Sequence, residues 1–188
     1  VASVAKDYDI PVHLDGARIF NAALELGLEA KELVEDVDSV MFCLSKGLAA
    51  PVGSILAGSK EFIKRARKNR KMLGGGMRQA GIIAQAGIIA LEERKERLEK
   101  DHNLAIELAT KVEELDLAGL GVWGVNTNFI ILEVDENVHN TSEVITQLAE
   151  YGVQVSHFKD NLLRAVAHKD ISDLDLDYVL DVLNKCLK

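Results

Sequence analysis

Apolar and polar positions along the chain fall into short alternating runs and longer periodic ones, and these predict strands and helices. Val12-His13-Leu14-Asp15 alternates strictly, which puts Val12 and Leu14 on one strand face and His13 and Asp15 on the other. Gly16 breaks that run. Residues 18–26 then have helical spacing, with Phe20, Ala23 and Leu24 inward and Gly27 placed to end the helix. Residues 40–44 and 52–57 are apolar runs bounded by turn residues and predict two more strands. Ser59 is placed to cap a helix running toward Asn69, basic on its outer face. One long helix is expected over residues 77–115. Its first half, with Ile82, Ile83, Ile88 and Ile89, is apolar nearly all round and is expected to be buried; its second half is amphipathic. A β-β-α-β-β-α pattern closes the chain. Its strands fall near residues 121–125, 129–134, 153–157 and 162–167, and its helices over 142–151 and 172–187. Ser172 with Asp175 three residues on makes a capping-box-like start for the last helix.

The change of character near residues 92–95 divides the pattern in two. Residues 1–94 read as a portion of an α/β domain, and residues 95–188 as a small α+β domain of sheet and helices. Residues 1–7 read as the last turns of a helix, with no initiator methionine and no leader, so the chain is expected to be the C-terminal piece of something longer. The net charge of −8 argues against a nucleic-acid or anionic-membrane partner. No apolar run reaches membrane-spanning length. Cys43 and Cys186 fall in a predicted strand and the terminal helix, a free-thiol usage that suits the cytoplasm.

Candidate chemistry centres on Met41-Phe-Cys-Leu-Ser45-Lys46-Gly-Leu-Ala-Ala-Pro-Val-Gly53-Ser54, where an apolar run ends in a lysine followed by a small-residue loop. Lys46 then emerges at a strand end, the usual place for chemistry in an open α/β sheet. Desolvation near a sheet core favours a neutral amine, which attacks carbonyls. Asp15 ends the preceding strand, with a connection of helical length between, so the two strands form a β-α-β unit and both side chains reach one sheet edge. A carboxylate and a reactive lysine so placed suit pyridoxal phosphate (PLP), whose ring nitrogen the carboxylate keeps protonated. Two plainer readings stay open: a lysine whose stem snorkels at a strand end, and a simple Asp15–Lys46 salt bridge. His13 shares the Asp15 face and is placed either to bond it or to pack. The Val-His-Leu-Asp-Gly run also approaches the opening of haloacid-dehalogenase phosphatases, but His13 stands at their nucleophile position and no acidic cluster for Mg²⁺ follows. No metal site is expected.

Three motifs in order, His13-Leu-Asp15-Gly-Ala-Arg18, then Ser45-Lys46-Gly47-Leu48 before Pro-Val-Gly-Ser, then Gly74-Gly-Gly-Met-Arg78-Gln-Ala-Gly81, resemble the threonine aldolases. These are PLP enzymes of the aspartate-aminotransferase fold, fold type I. The resemblance covers essentially the whole chain, including Leu163-Arg164-Ala-Val-Ala-His168. It implies that residues 1–94 are the C-terminal portion of the PLP-binding large domain. It implies Lys46 as the Schiff-base lysine, with Ser45 beside it in the cofactor set, and Asp15 as the partner of the pyridine nitrogen. Arg18 is implied beside the cofactor and the substrate carboxylate, and Arg78 at a cofactor phosphate, usually that of a neighbouring subunit. Arg164 is implied as the grip on the amino-acid carboxylate, which suits a bidentate guanidinium; an ordinary surface arginine is the alternative. The implied reaction is retro-aldol cleavage of L-threonine or L-allo-threonine to glycine and acetaldehyde, in a cytoplasmic homotetramer built as a dimer of dimers. Its partner is a small-molecule amino acid. The family's stacking histidine and phosphate-binding loop belong to an upstream half not found in this sequence, so the chain alone is expected to be poorly active or inactive. Another fold type I enzyme, an amino-acid lyase or an aminotransferase, is the nearest alternative, and a non-catalytic fragment is a third.

Overall fold

The computed structural model describes residues 1–188, which divide into two compact units, Val1–Leu98 and Glu99–Lys188. No helix is long and apolar enough to cross a membrane.

The first unit holds a three-stranded sheet, β1 (His13–Asp15), β2 (Ser39–Cys43) and β3 (Ser54–Gly58), in that spatial order. β1 runs parallel to β2 with His13 opposite Ser39 and Asp15 opposite Met41; β3 is antiparallel to β2. A parallel neighbour requires a crossover. Helix α2 (Ile19–Leu26) and a 3₁₀ turn at Glu32–Val34 supply it, after the short α1 (Ala2–Asp7). Gly27 ends α2 at φ +65°, a left-handed geometry that costs glycine little. Its N–H donates to Leu24 O and that of Leu28 to Ala23 O. Helix α3 (Lys60–Met72) starts where the hydroxyl of Ser59 accepts from Phe62 N–H at 3.2 Å, the expected cap.

The expected long helix is two helices, α4 (Gly81–Glu92) and α5 (Arg94–Glu114), broken at Glu93. Arg94 Nη1 donates to Leu91 O at 2.7 Å and so satisfies a carbonyl of the last α4 turn. The burial expected of α4 is also corrected. Only its small residues, Gly87 and Ala90, are buried, whereas Ile82 is 81% exposed and Ile88 and Ile89 are exposed as well. Gly87 faces Leu44 so closely that an added Cβ would lie 3.0 Å from Leu44 Cδ1. Small residues admit α4 to the core, Leu91 packs against its edge, and Ile82, Ile88 and Ile89 stay exposed. All five β3 residues are exposed too.

In the second unit, β4 (Leu120–Asn126), β5 (Phe129–Val134), β6 (Ser156–Lys159) and β7 (Leu162–Val166) form an antiparallel sheet in the order β4-β5-β7-β6. Alternation sends Ile130, Leu132, Val134 and Leu163 to one face. There they join Ala105, Val112, Val144, Leu148, Leu176 and Leu183 of α5, α6 (Thr141–Glu150) and α7 (Asp173–Cys186) in a single core. Each large side chain buried there contributes about 1.5–3 kcal/mol. Asn140 caps α6, accepting from Ser142 and Glu143 N–H at 3.0 and 3.1 Å.

Candidate active site

The edge expected to carry chemistry forms from the loops that follow β1 and β2 in the first unit. The β1–β2 ladder continues past the strand ends through Gly16 N–H to Met41 O at 2.9 Å and Cys43 N–H to Ala17 O at 3.2 Å. The segment after Asp15 and the segment before Lys46 therefore leave the sheet side by side. Asp15 is exposed, and its Oδ1 accepts from Ala17 N–H at 3.2 Å. That bond fixes the carboxylate at the turn and leaves Oδ2 open to another donor.

β2 ends at Cys43, and the chain turns back on itself: Ala50 N–H donates to Leu44 O, Ala49 N–H to Lys46 O and Leu44 N–H to Gly53 O, at 2.8–2.9 Å. Leu44, Leu48 and Ala50 of this turn are the centre of the first unit's core, with Ala90 and Leu98. Ser45 and Lys46 sit on the solvent side of a loop thus anchored from beneath, and both are exposed. This corrects the expectation that Lys46 is held near the sheet core: the apolar residues on both sides of it are drawn in, and the lysine stays out. Asp15 and Lys46 form no ion pair, so the salt-bridge reading is not realised. Ala49 adopts φ +58°, a left-handed conformation that an L residue with a Cβ adopts only at a cost.

Arg18 stands at the N-terminal boundary of α2, three residues after Asp15 and half-buried. Arg78 lies in the exposed Gly74–Ala80 connection between α3 and α4 and forms no hydrogen bond or ion pair with the other candidates. The structure therefore does not bring Arg78 to Lys46 within this chain. In the second unit, Arg164 is in the middle of β7, opposite Ile131 and Ser156, with its guanidinium 5.4 Å over the Phe129 ring. Its Nε is buried without a hydrogen-bond partner, a costly state for a charged group that leaves donor capacity unused.

His13 does not bond Asp15; its Nδ1 lies 2.9 Å from Ser39 Oγ. His139 and His157 bond the carbonyls of Ala118 and Asp160, His168 faces Asp170, and His102 is buried on α5. No group of histidine, cysteine and carboxylate side chains is arranged to hold a metal. One residue escapes the sequence motifs: Asn21, 3% exposed, lies against the Lys46 loop. Its only signal in the sequence is a carboxamide within the buried side of an amphipathic helix.

A family model for beta-eliminating lyases matches residues 1–136. The probable low-specificity L-threonine aldolase 2 of Arabidopsis thaliana is 42% identical over 98% of this chain and 52% of its own length. The low-specificity L-threonine aldolase of Escherichia coli K12 is 41% identical over 89% of this chain and 48% of its own. The chain thus spans about half the length of the curated relatives it matches. A crystal structure of Oryza sativa TDC with PLP and tryptamine superposes with a TM-score of 0.77 at 18% identity, over all of this chain and 44% of that one, a likeness of fold.

Proposed function

The chain belongs to the beta-eliminating lyase family, and from that premise we propose that its protein is a PLP-dependent aldehyde-lyase that cleaves L-threonine or L-allo-threonine to glycine and acetaldehyde. The observation that carries this reading is the parallel β1–β2 pair, from which the Asp15 and Lys46 segments leave side by side. Similarity to low-specificity threonine aldolases over nearly the whole chain supports the choice of substrate.

The residues present fit PLP in their chemistry. Lys46 offers an exposed amine with no counter-ion, free to engage an aldehyde. Asp15 has one oxygen spent on Ala17 N–H and one open, which suits it to accept from a protonated ring nitrogen. When bound, PLP supplies the electron sink that makes Cα–Cβ cleavage possible. Arg18 and Ser45 flank these two groups in the sequence of each loop and are assigned to the cofactor as well. Arg78, a guanidinium with no internal partner, is assigned to a phosphate, and its exposure suits a phosphate held on another subunit. Arg164 is assigned to the amino-acid carboxylate, which its unused Nε donor and planar fork favour.

The reading extends to a cytoplasmic homotetramer, a dimer of dimers. Its supports are two free cysteines and the exposed apolar side chains Leu73, Met77 and Ile82, which suit burial between copies.

Borohydride fixation of the PLP-loaded full-length protein, followed by peptide mapping, tests the central assignment. The label is expected on the peptide carrying Lys46, with glycine and acetaldehyde formed from threonine. A protein that stays colourless with PLP and carries no label at Lys46 overturns the reading.

A further inference from the structure

We propose that Asn21 is a positioning residue for Lys46, holding the lysine loop to the segment that carries Asp15; this rests on the reading of Lys46 as the PLP-capturing lysine. Asn21 is in the first turn of α2, between the buried Ile19 and Ala23, and is itself 3% exposed. A carboxamide is costly to bury on such a face unless polar neighbours receive it. What it meets is the backbone immediately after Lys46. A Cβ built on Gly47 would lie 2.6 Å from Asn21 Oδ1 and 3.3 Å from Asn21 Nδ2, with Leu98 Cδ2 at 3.1 Å. Contacts below 3.0 Å are not made by real Cβ atoms, so no other L residue fits at position 47 unless Asn21 moves. Gly47 has no left-handed φ; it is needed for the closeness of approach.

The other ties of this loop act differently. The bonds from Ala49 N–H to Lys46 O, Ala50 N–H to Leu44 O and Leu44 N–H to Gly53 O close the turn on itself. They fix its shape and not its place relative to Asp15. Leu44 and Leu48 anchor it through apolar contact, which is non-directional. The Asn21 carboxamide is a directional group, one peptide from Lys46 and six residues from Asp15, on the helix that the Asp15 turn begins. It therefore adds, to the Gly16–Met41 and Cys43–Ala17 backbone bonds that join the two segments farther back, a contact beside the lysine itself that limits how the amine sits relative to the carboxylate. A shift of about 1 Å between reacting groups is enough to cost on the order of 100-fold in rate.

The test follows the rate of covalent capture of PLP by the apoprotein, read by absorbance, together with kcat and KM of the holoenzyme. Asn21→Ala is expected to keep the borohydride label on Lys46, to slow capture by roughly tenfold or more, and to lower kcat with KM for the amino acid nearly unchanged. Gly47→Ala is expected to give the same pattern, because its methyl displaces the loop. The double variant should recover part of that loss, because Asn21→Ala removes the obstruction. That non-additivity, and a split between kcat and KM, are not expected of a residue that only supports the fold. If Asn21→Ala does not fold, the Gly47→Ala capture rate decides alone. Wild-type capture and kcat in the folded single variants, or losses that simply add in the double variant, overturn the proposal. A wild-type protein that carries no label at Lys46 removes the functional reading and this proposal together.

Discussion

Ser39 Oγ and His13 Nδ1 stand 2.9 Å apart across the parallel β1–β2 pair, where the register sets the two residues opposite each other. The bond holds the imidazole toward β2 and away from Asp15, which bonds its own turn at Ala17. Ser39 is 8% exposed, so the hydroxyl has little access to water as a substitute partner. Ser39→Ala is expected to cost about 1 kcal/mol of stability, read from the urea midpoint. Capture of PLP at Lys46 should be unaffected. A variant as stable as wild type but slow in capture would show that the imidazole's orientation matters to the site and not to the fold.

Asp15→Asn separates the two uses of that side chain. The amide oxygen still accepts from Ala17 N–H, so the turn that follows β1 is expected to survive. The negative charge is lost, and with it the means to keep a ring nitrogen protonated. We expect kcat to fall by about 100-fold or more, with an unchanged circular dichroism spectrum and the label still on Lys46. Activity within twofold of wild type would remove Asp15 from the site.

The sequence made the architecture legible where a segment carries its own instruction. Strict alternation at residues 12–15, Gly27 after α2, Ser59 before α3 and Ser172 before α7 each specify local geometry within their own segment, Gly27 by its freedom to take a positive φ and the serines by their hydroxyls, and each is found as expected. The parallel β1–β2 pair was legible for the same reason, since a helix-length link between two strands admits little else. Burial was less legible. Periodicity reports how apolar Ile82 or Ile89 is, not whether anything lies over it, and in α4 the buried residues are Gly87 and Ala90. The exposure of Lys46 was only partly legible: the apolar run places it at a strand end, but does not show whether the amine lies near the sheet core or, as found, in solvent. The run ends at Cys43, and Leu44 turns inward alone. Asn21 was invisible as a site residue because its role depends on the absence of a side chain at position 47, which is distant in sequence.

Ala49 offers a test of strain in the lysine loop. Its φ of +58° belongs to the left-handed region, which costs a residue with a Cβ roughly 1–2 kcal/mol. Glycine relieves that cost but has more freedom to lose on folding, which returns about 0.4–1 kcal/mol. Ala49→Gly is therefore expected to leave stability unchanged or raise it by about 1 kcal/mol, measured by thermal or urea unfolding. Ala49→Val, β-branched at the same φ, is expected to destabilise. A stabilising valine would show that the turn does not hold this conformation in solution.

Asp175 links the last helix to pH. Its Oδ2 accepts from the Ser172 hydroxyl at 2.6 Å and from the Ser172 backbone N–H at 2.8 Å. These bonds, the side-chain one foremost, favour the charged form and hold its carboxyl below the ordinary value of 3.8. Since the folded value lies below the unfolded one, the stabilisation is complete above the unfolded value and is lost as pH falls through the folded one. α7 contributes Leu176, Val182 and Leu183 to the core of the second unit, so loosening its first turn weakens that unit as a whole. Urea midpoints taken from neutral pH down to about pH 3 should fall more steeply for wild type than for Asp175→Asn, whose amide accepts the same bonds without titrating. The two curves should differ most near neutrality and converge in acid. Curves that stay parallel throughout would mean that the carboxylate at this cap does not couple to folding.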